Sequence, residues 1–413
     1  EGKVELFING DFLEFAQVKP DVYTLGSSTV WCSESESMEK LDAILKGHAD
    51  IFEAMKRFQA NNNRVTLAAG NHDVDLYWPR VQDELRRVGG PIEFATGSDN
   101  YFRYDNRLMI GHGHMIDPAN RFANWDNPIL DGPDGTKRLE MCPGTLFMVK
   151  FVNWLEKDYP FSDNLKPITA LARVLWNEQR ASLVAAAKIL FKFAGTNPMV
   201  ALGMGSNGQA ATTDIAHVVR VELATNEDFK DHMVELYREV RDPNATVKTL
   251  EDNLKTEGDV FEFLKEVMAK ASPEKWQPAF DILEPATLGT DEFSLQIVRS
   301  GMAKDKEDLQ EEARSHLLSE DGPEVVVFGH THQPDEWRGR AGKSAGGYFN
   351  PGSWTRYVDA SKMQNLRLDD LKNETDFPYQ LNYIRIEQSQ GGGLAAEKIC
   401  VEEQNGDKFS VVH

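Results

Sequence analysis

The chain has 413 residues, of which 41% are hydrophobic and 27% charged, so it can fill two or three average domains or one large domain with an insertion. Its net charge of -21 disfavours a nucleic-acid-binding surface, because such a surface repels polyanions. Three widely spaced cysteines, Cys32, Cys142 and Cys400, suggest neither a disulfide framework nor a zinc knuckle. No apolar run reaches membrane-spanning length. We expect a cytoplasmic protein, and peripheral association with a membrane is compatible with this expectation.

The first part of the chain alternates strand and helix patterns. The expected elements are a strand at 4–9, a polar loop at 20–37, a helix at 38–60, a strand from Val65, a helix at 78–88 and short strands near 92–94, 101–104 and 107–110. This order predicts an α/β sheet.

Helical patterns dominate between residues 118 and 321, where strand patterns are scarce. The expected helices lie at 146–155, 168–193, 228–240, 260–271 and 304–318. We predict that this block is a helical cap inserted into one catalytic domain formed by 1–117 and 322–413. Apolar side chains at 147–155 and 171–176 either line a cleft for a bulky substrate or pack the core of the cap.

Strand patterns return after the cap. The expected strands lie at 324–328, 335–338, 347–350, 355–358, 381–387 and 396–401, with a Gly-rich hairpin turn at 390–393. They predict a second sheet that packs on the first.

Four predicted strands end in polar residues that can bind metals. The clusters are Asp11; Asn71, His72 and Asp73; His112 and His114; His330 and His332. They contain five of the ten histidines of the chain. Strand tips are where open α/β sheets bind ligands, and carboxylate, amide and imidazole groups without thiolates suit manganese, iron or zinc.

These motifs resemble those of the calcineurin-like metallophosphoesterases. The family pattern is Asp-x-His, Gly-Asp-x-x-Asp, Gly-Asn-His-Asp/Glu, His and Gly-His-x-His. The corresponding residues here are Gly10-Asp11, Gly70-Asn71-His72-Asp73, His112 and Gly329-His330-Thr331-His332, in the same order. The match covers roughly residues 3–117 and 322–387. The segments Gly10–Phe15 and Asn350–Trp354 also look like the corresponding segments of the bacterial branch related to the UDP-diacylglucosamine pyrophosphatases. That branch, however, has Arg at the position of His72.

The resemblance implies a four-layer αββα sandwich with two divalent metal ions, manganese in the first place and iron or zinc as alternatives. Asp11 would bridge both ions; Asn71, His112 and His330 would hold one of them, and His332 the other. A hydroxide between the ions would attack phosphorus. The resemblance makes His72 a proton or hydrogen-bond donor oriented by Glu14 and groups Asp73 with the catalytic residues. We expect His114 to contact substrate, the alternative being a structural role.

The Asp-x-His motif of the family occurs nowhere in this chain, which opens at Glu1 without Met. We expect the motif to lie upstream of Glu1, the alternative being a degenerate site.

The leading hypothesis is a dinuclear metal-dependent phosphohydrolase that cleaves a phosphodiester, pyrophosphate or phosphomonoester of a small or lipid-linked molecule. One alternative is a non-catalytic metal-binding protein whose cap recruits a partner. Another is a nuclease of the same family, which needs a basic channel that small clusters such as Lys137-Arg138 and Arg86-Arg87 do not provide.

Overall fold

A computed structural model describes residues 4–27, 29–117, 119–166, 227–256, 303–339, 346–359, 366–389, 391–404 and 408–412, together with isolated positions between 174 and 271. The chain divides into two compact units. Unit 1 comprises Glu1–Lys166, Asp305–Asn365 and Asp369–His413, and unit 2 comprises Pro167–Lys304 and Leu366–Leu368. The predicted insertion at 118–321 is wider than unit 2, because residues 119–166 and most of the helix Ala303–Leu318 belong to unit 1.

The described elements confirm the α/β class. The α-helices are α1 (Glu34–Gly47), α2 (Ala49–Ala60), α3 (Pro79–Gly89), α4 (Pro143–Phe147), α5 (Asn153–Leu155), α6 (Glu227–Val240), α7 (Val247–Asn253) and α8 (Ala303–Leu318). The strands are β1 (Glu5–Asn9), β2 (Arg64–Ala68), β3 (Glu93–Ala95), β4 (Asn100–Arg103), β5 (Leu108–Gly111), β6 (Ile129–Asp131), β7 (Lys137–Leu139), β8 (Leu165–Lys166), β9 (Val325–Val327), β10 (Asp335–Trp337), β11 (Gly347–Asn350), β12 (Val358–Asp359), β13 (Leu381–Gln388), β14 (Leu394–Gln404) and β15 (Lys408–Val412). A search of the described residues finds no helix with the length and apolar character needed to cross a bilayer.

Strands β1, β2 and β3 form a parallel sheet in that order. Val65, Thr66 and Leu67 of β2 are buried, as expected for a strand that is covered on both faces. Helix α2 contacts β2, and α3 contacts both α1 and α2. Because β1 and β2 are parallel neighbours, their carboxyl ends lie side by side.

A second sheet has the strand order β10-β11-β9-β5-β4, with β11, β9 and β5 parallel and β10 and β4 antiparallel at the edges. Successive residues along its strands point to opposite faces of the sheet. Met109 and Val326 pack on α8, whereas Leu108 and Val325 pack with residues of β13 and β14, and Phe7 of β1 joins this second cluster. Strands β4 and β5 therefore do not continue the first sheet as their place in the chain suggested. The apolar run of β5 is buried on both faces, which suits the interior of the larger sheet.

The predicted helix at 38–60 is two helices, because His48 leaves the helical conformation (φ -130°, ψ 34°). Helix α1 begins at Glu34, within the segment 20–37 that was predicted to be a loop. The Glu36 side chain accepts the Ser33 backbone N–H at 2.7 Å, so the Ser/Glu-rich segment starts a helix. The three-residue strands β6 and β7 pair with each other inside the block predicted to be helical.

Unit 2 contains a core of its own around α6 and α7, with Phe229, Met233 and Leu250 among its buried residues. Helix α6 confirms the helix predicted at 228–240. Most of the helix predicted at 168–193, and most of the apolar set at 171–176, lie outside the described residues. Val152 and Leu155 in unit 1 are buried, as the core-packing alternative expects.

Candidate metal centre

The predicted polar clusters follow β1, β2, β5 and β9, and two hydrogen bonds join the tips of these strands. The Asn9 side chain donates to the Gly111 carbonyl at 2.7 Å, and the Gly329 N–H donates to the His112 carbonyl at 2.9 Å. Both sheets therefore present their polar ends to one place in unit 1.

Asp11, His112 and His330 come together there. One possible ligand atom from each side chain lies within 4.8 Å of the other two, and no other group of three or more His, Cys, Asp or Glu side chains among the described residues meets this criterion. Asp11 and His330 have positive φ angles of 50° and 62°, which residues with a Cβ rarely adopt. Such strain is concentrated at functional sites in proteins.

Glycines let the backbone approach the cluster closely. A Cβ on Gly70 would lie 2.2 Å from Asp11 Oδ1, and a Cβ on Gly10 would lie 2.6 Å from His112 Nδ1. Side chains at these two positions would displace the two ligand candidates, which explains why each cluster begins with Gly.

His112 is oriented as a metal ligand requires. Its Nδ1 lies 2.7 Å from the Asn9 carbonyl oxygen, so the neutral form of His112 carries its proton on Nδ1 and its lone pair on Nε2. That Nε2 lies 2.9 Å from Asp11 Oδ2 without the geometry of a hydrogen bond. Burial disfavours the charged form of both side chains, but the electrostatic attraction between Asp11 and His112 opposes this effect and favours the charged forms. The pKa of His112 is raised, and the pKa of Asp11 is held well below its usual value by His112 and His72.

Three of the buried polar atoms that have no hydrogen-bond partner within the described part of the chain belong to these residues: Asn71 Oδ1, and Asp11 Oδ2 and His112 Nε2, which lie 2.9 Å from each other. Buried polar atoms are normally bonded, so a set of unbonded acceptors requires an explanation. A divalent cation satisfies several acceptors at once, and carboxylate, amide and imidazole ligands fit manganese, iron or zinc. The residues present therefore fit one cation.

His72 and Glu14 form the pair that the resemblance implied. His72 Nδ1 lies 2.5 Å from Glu14 Oε2, and both side chains are partly exposed. The backbone N–H of His72 donates to Asp11 Oδ1 at 2.9 Å, which fixes the pair beside the cluster.

Asp73 was predicted among the catalytic residues, and its contacts also give it a structural role. It is fully buried, and its carboxylate accepts backbone N–H groups of Asp11 (3.2 Å), Phe12 (2.8 Å), Leu13 (3.3 Å) and Gly70 (2.6 Å). Burial and the nearby Asp11 raise the pKa of Asp73 to about 7. Asp73 therefore joins the loop after β1 to the loop after β2, and its catalytic role stays a prediction.

His114 was expected to contact substrate, but only 1% of its surface is exposed. Its ring packs edge-on against Trp125 at 4.3 Å and lies 5.4 Å from His112. Burial, followed by the nearby His112 and His330, holds the pKa of His114 well below its usual value, so the ring is neutral. In this conformation a substrate cannot reach it.

His332 was expected to hold the second ion, but it is not part of the three-residue group. It has a positive φ of 59° and is partly exposed. The described residues thus bring together Asp11, His112 and His330, and leave the predicted second ion without a ligand group of its own. Asn71 is linked to His330 through Asn120 and Asp117.

Two residues at the site were not predicted, Asp117 and Asn120. Asp117 Oδ2 lies 3.0 Å from His330 Nε2 and accepts the Asn120 side chain at 2.5 Å, and Asn120 in turn accepts the Asn71 side chain at 3.1 Å. The sequence signal was weak, because both follow the His112–His114 tip without a strand or helix pattern of their own.

Comparison of the chain with protein-family models, with curated proteins and with solved structures finds no match.

Proposed function

We propose that this protein is a metal-dependent phosphoester hydrolase with the four-layer architecture of the calcineurin-like metallophosphoesterases. The observation that carries the proposal is the convergence of Asp11, His112 and His330 from three strand tips, where Asp11 Oδ2 and His112 Nε2 are buried without a hydrogen-bond partner among the described residues. The packing of the second sheet on α8 on one face and on β1, β13 and β14 on the other supports the layered architecture.

The side chains around the cluster have the chemistry that phosphoester hydrolysis needs. Asp11, His112, His330 and Asn71 would hold a divalent cation, which supplies Lewis acidity and lowers the pKa of water. The partly exposed His72, aligned by Glu14, is placed to protonate the leaving oxygen. A small or lipid-linked phosphoester, or a pyrophosphate, is the substrate class that we propose.

Hydrolysis of bis(p-nitrophenyl) phosphate by the full-length protein tests this function. We expect turnover that depends on added Mn²⁺ and stops with EDTA. His112→Asn should lower the rate by about 100-fold or more, because it removes a ligand of a metal ion that stabilises the transition state by several kcal/mol. His48→Asn, at an exposed position between α1 and α2, is the matched control and should keep full activity. No turnover with Mn²⁺ present would contradict the proposal.

One observation favours a second candidate, a protein that binds a single cation without hydrolysing phosphoesters. The described residues form one group of three ligands and not two. This candidate predicts one Mn²⁺ per chain by equilibrium dialysis and no turnover, whereas the hydrolase expected from the family motifs predicts two ions with turnover.

A further inference from the structure

Asp117 contacts one candidate metal ligand directly. Its side chain and that of His330 are each 9% exposed, and Asp117 Oδ2 lies 3.0 Å from His330 Nε2. Asp117 is itself fixed, because the Ala119 backbone N–H donates to its Oδ1 at 2.8 Å and the Asn120 amide donates to its Oδ2 at 2.5 Å. An acceptor held in this way keeps the proton of a neutral His330 on Nε2 and leaves the lone pair on Nδ1.

The two histidines of the cluster are therefore held in opposite tautomers. His112 donates from Nδ1 to the Asn9 carbonyl, so its neutral form has the lone pair on Nε2. His330 donates from Nε2 to Asp117 and has its lone pair on Nδ1. Each ring is bonded on one nitrogen by a buried acceptor, which leaves the other nitrogen for a cation.

Asn120 gives the same kind of support to Asn71. The Asn71 Nδ2 group donates to Asn120 Oδ1 at 3.1 Å, and Asn71 Oδ1 has no partner in the part of the chain that the structure describes. Because Asn120 Nδ2 donates to Asp117, Asn120 must present its oxygen to Asn71. The amide of Asn71 is thus turned so that its oxygen, and not its nitrogen, remains free.

We propose that Asp117 and Asn120 are positioning residues of the metal centre, which set the tautomer of His330 and the orientation of the Asn71 amide. This proposal rests on the proposed function, because the ligands that it orients are those of the cation. Partners of this kind typically change metal affinity by about 10- to 100-fold when they are removed.

The test uses Asp117→Asn and Asn120→Ala in the full-length protein, with Asp131→Asn as control. Asp131 is 85% exposed and pairs only with Lys137 among the described residues. Titration calorimetry with Mn²⁺ should show about 10- to 100-fold weaker binding for Asp117→Asn, a smaller loss for Asn120→Ala, and no change for the control. In Asp117→Asn the new amide cannot accept from both His330 and Ala119, so the His330 proton should move to Nδ1.

Long-range ¹H–¹⁵N spectra of metal-free, histidine-labelled protein read that tautomer directly, which a merely structural role of Asp117 would not change. We expect protonated Nε2 in the wild type and protonated Nδ1 in Asp117→Asn. A wild-type His330 protonated on Nδ1, or Mn²⁺ affinity unchanged in both variants, would overturn the inference. A wild-type protein that binds no Mn²⁺ would instead contradict the proposed function, while the metal-free spectra would still decide the tautomer.

Discussion

The His72–Glu14 pair is the most informative contact at the scale of single residues. Glu14 Oε1 accepts the backbone N–H groups of Ala16 (2.9 Å) and Gln17 (3.2 Å), which leaves Oε2 to hold His72 Nδ1. The contact with Glu14 therefore fixes the direction of the imidazole.

We expect His72→Asn to lower kcat by about 100- to 10,000-fold, which is the usual contribution of a positioned general acid. The affinity for Mn²⁺ should stay close to the wild-type value, because the hydrogen bond from His72 to Asp11 comes from the backbone N–H, which the substitution keeps. Glu14→Gln should give a smaller loss of kcat. Steady-state kinetics and Mn²⁺ titration of both variants measure these effects, and weakened Mn²⁺ binding with unchanged kcat would show that His72 has another role.

Residue types and their order in the chain predicted which strand tips carry the clustered side chains better than they predicted the contacts of neighbouring residues. Gly10-Asp11 and Gly70-Asn71 could be predicted because a Gly and a polar residue follow an apolar strand. Asp73 belongs to the same motif, yet its four backbone partners depend on how two loops meet, which no local pattern encodes. Asp117 contacts His330, which lies 213 positions later in the chain, so only the folded chain could show that pair.

At the scale of elements, a hydrogen-bonded set of carboxyl groups joins the loop after β1 to the end of α5. Gln17 Nε2 lies 3.0 Å from both carboxyl oxygens of Glu156 and 3.0 Å from Asp163 Oδ2. Burial and the neighbouring Asp163 raise the pKa of Glu156 to about 9 from its ordinary value of 4.5. Glu156 is therefore protonated in the folded protein at neutral pH and ionised in the unfolded chain.

This difference in pKa predicts how stability depends on pH. The folded state binds the proton more tightly, so the contribution of Glu156 is complete below its unfolded pKa of 4.5 and is lost as the pH rises towards about 9. The loss is at most about 1.4 kcal/mol per pH unit for one proton. Glu156→Gln removes the titrating group, so its thermal unfolding midpoint should exceed that of the wild type increasingly as the pH rises through this window.

Glu53→Gln on α2 is the control for this experiment, since Glu53 is 57% exposed. Its unfolding midpoint should follow that of the wild type at every pH. Parallel curves for Glu156→Gln and the wild type would mean that Glu156 ionises normally in the folded protein.

The elements themselves differ in how far the sequence predicts them. Strands β2 and β5 are short, mostly apolar runs and helix α6 has a clear helical period, and all three were predicted nearly to the residue. Strands β6 and β7 have three residues each, too few for a period of two to stand out. Strands β5 and β9 pair although more than two hundred residues separate them in the chain. The sequence could therefore predict a second sheet, but not which strands form it.

At the scale of the whole molecule, the net charge of -21 argues against nucleic acid as substrate, because electrostatic attraction supplies most non-specific binding to it. The candidate centre lies wholly in unit 1, and unit 2 has a hydrophobic core of its own. The metal ligands of the proposed hydrolase therefore come from both segments that flank unit 2 in the sequence: Asp11, Asn71 and His112 precede it, and His330 follows it.

The most direct test of this account is anomalous scattering at the manganese edge from crystals of the full-length protein grown with Mn²⁺. We predict a peak within coordination distance of the Asp11 carboxylate, His112 Nε2 and His330 Nδ1, close to the Asn71 side-chain oxygen. A map without a peak among these groups, in crystals where their side chains keep the positions described above, would contradict the metal centre and with it the proposed function.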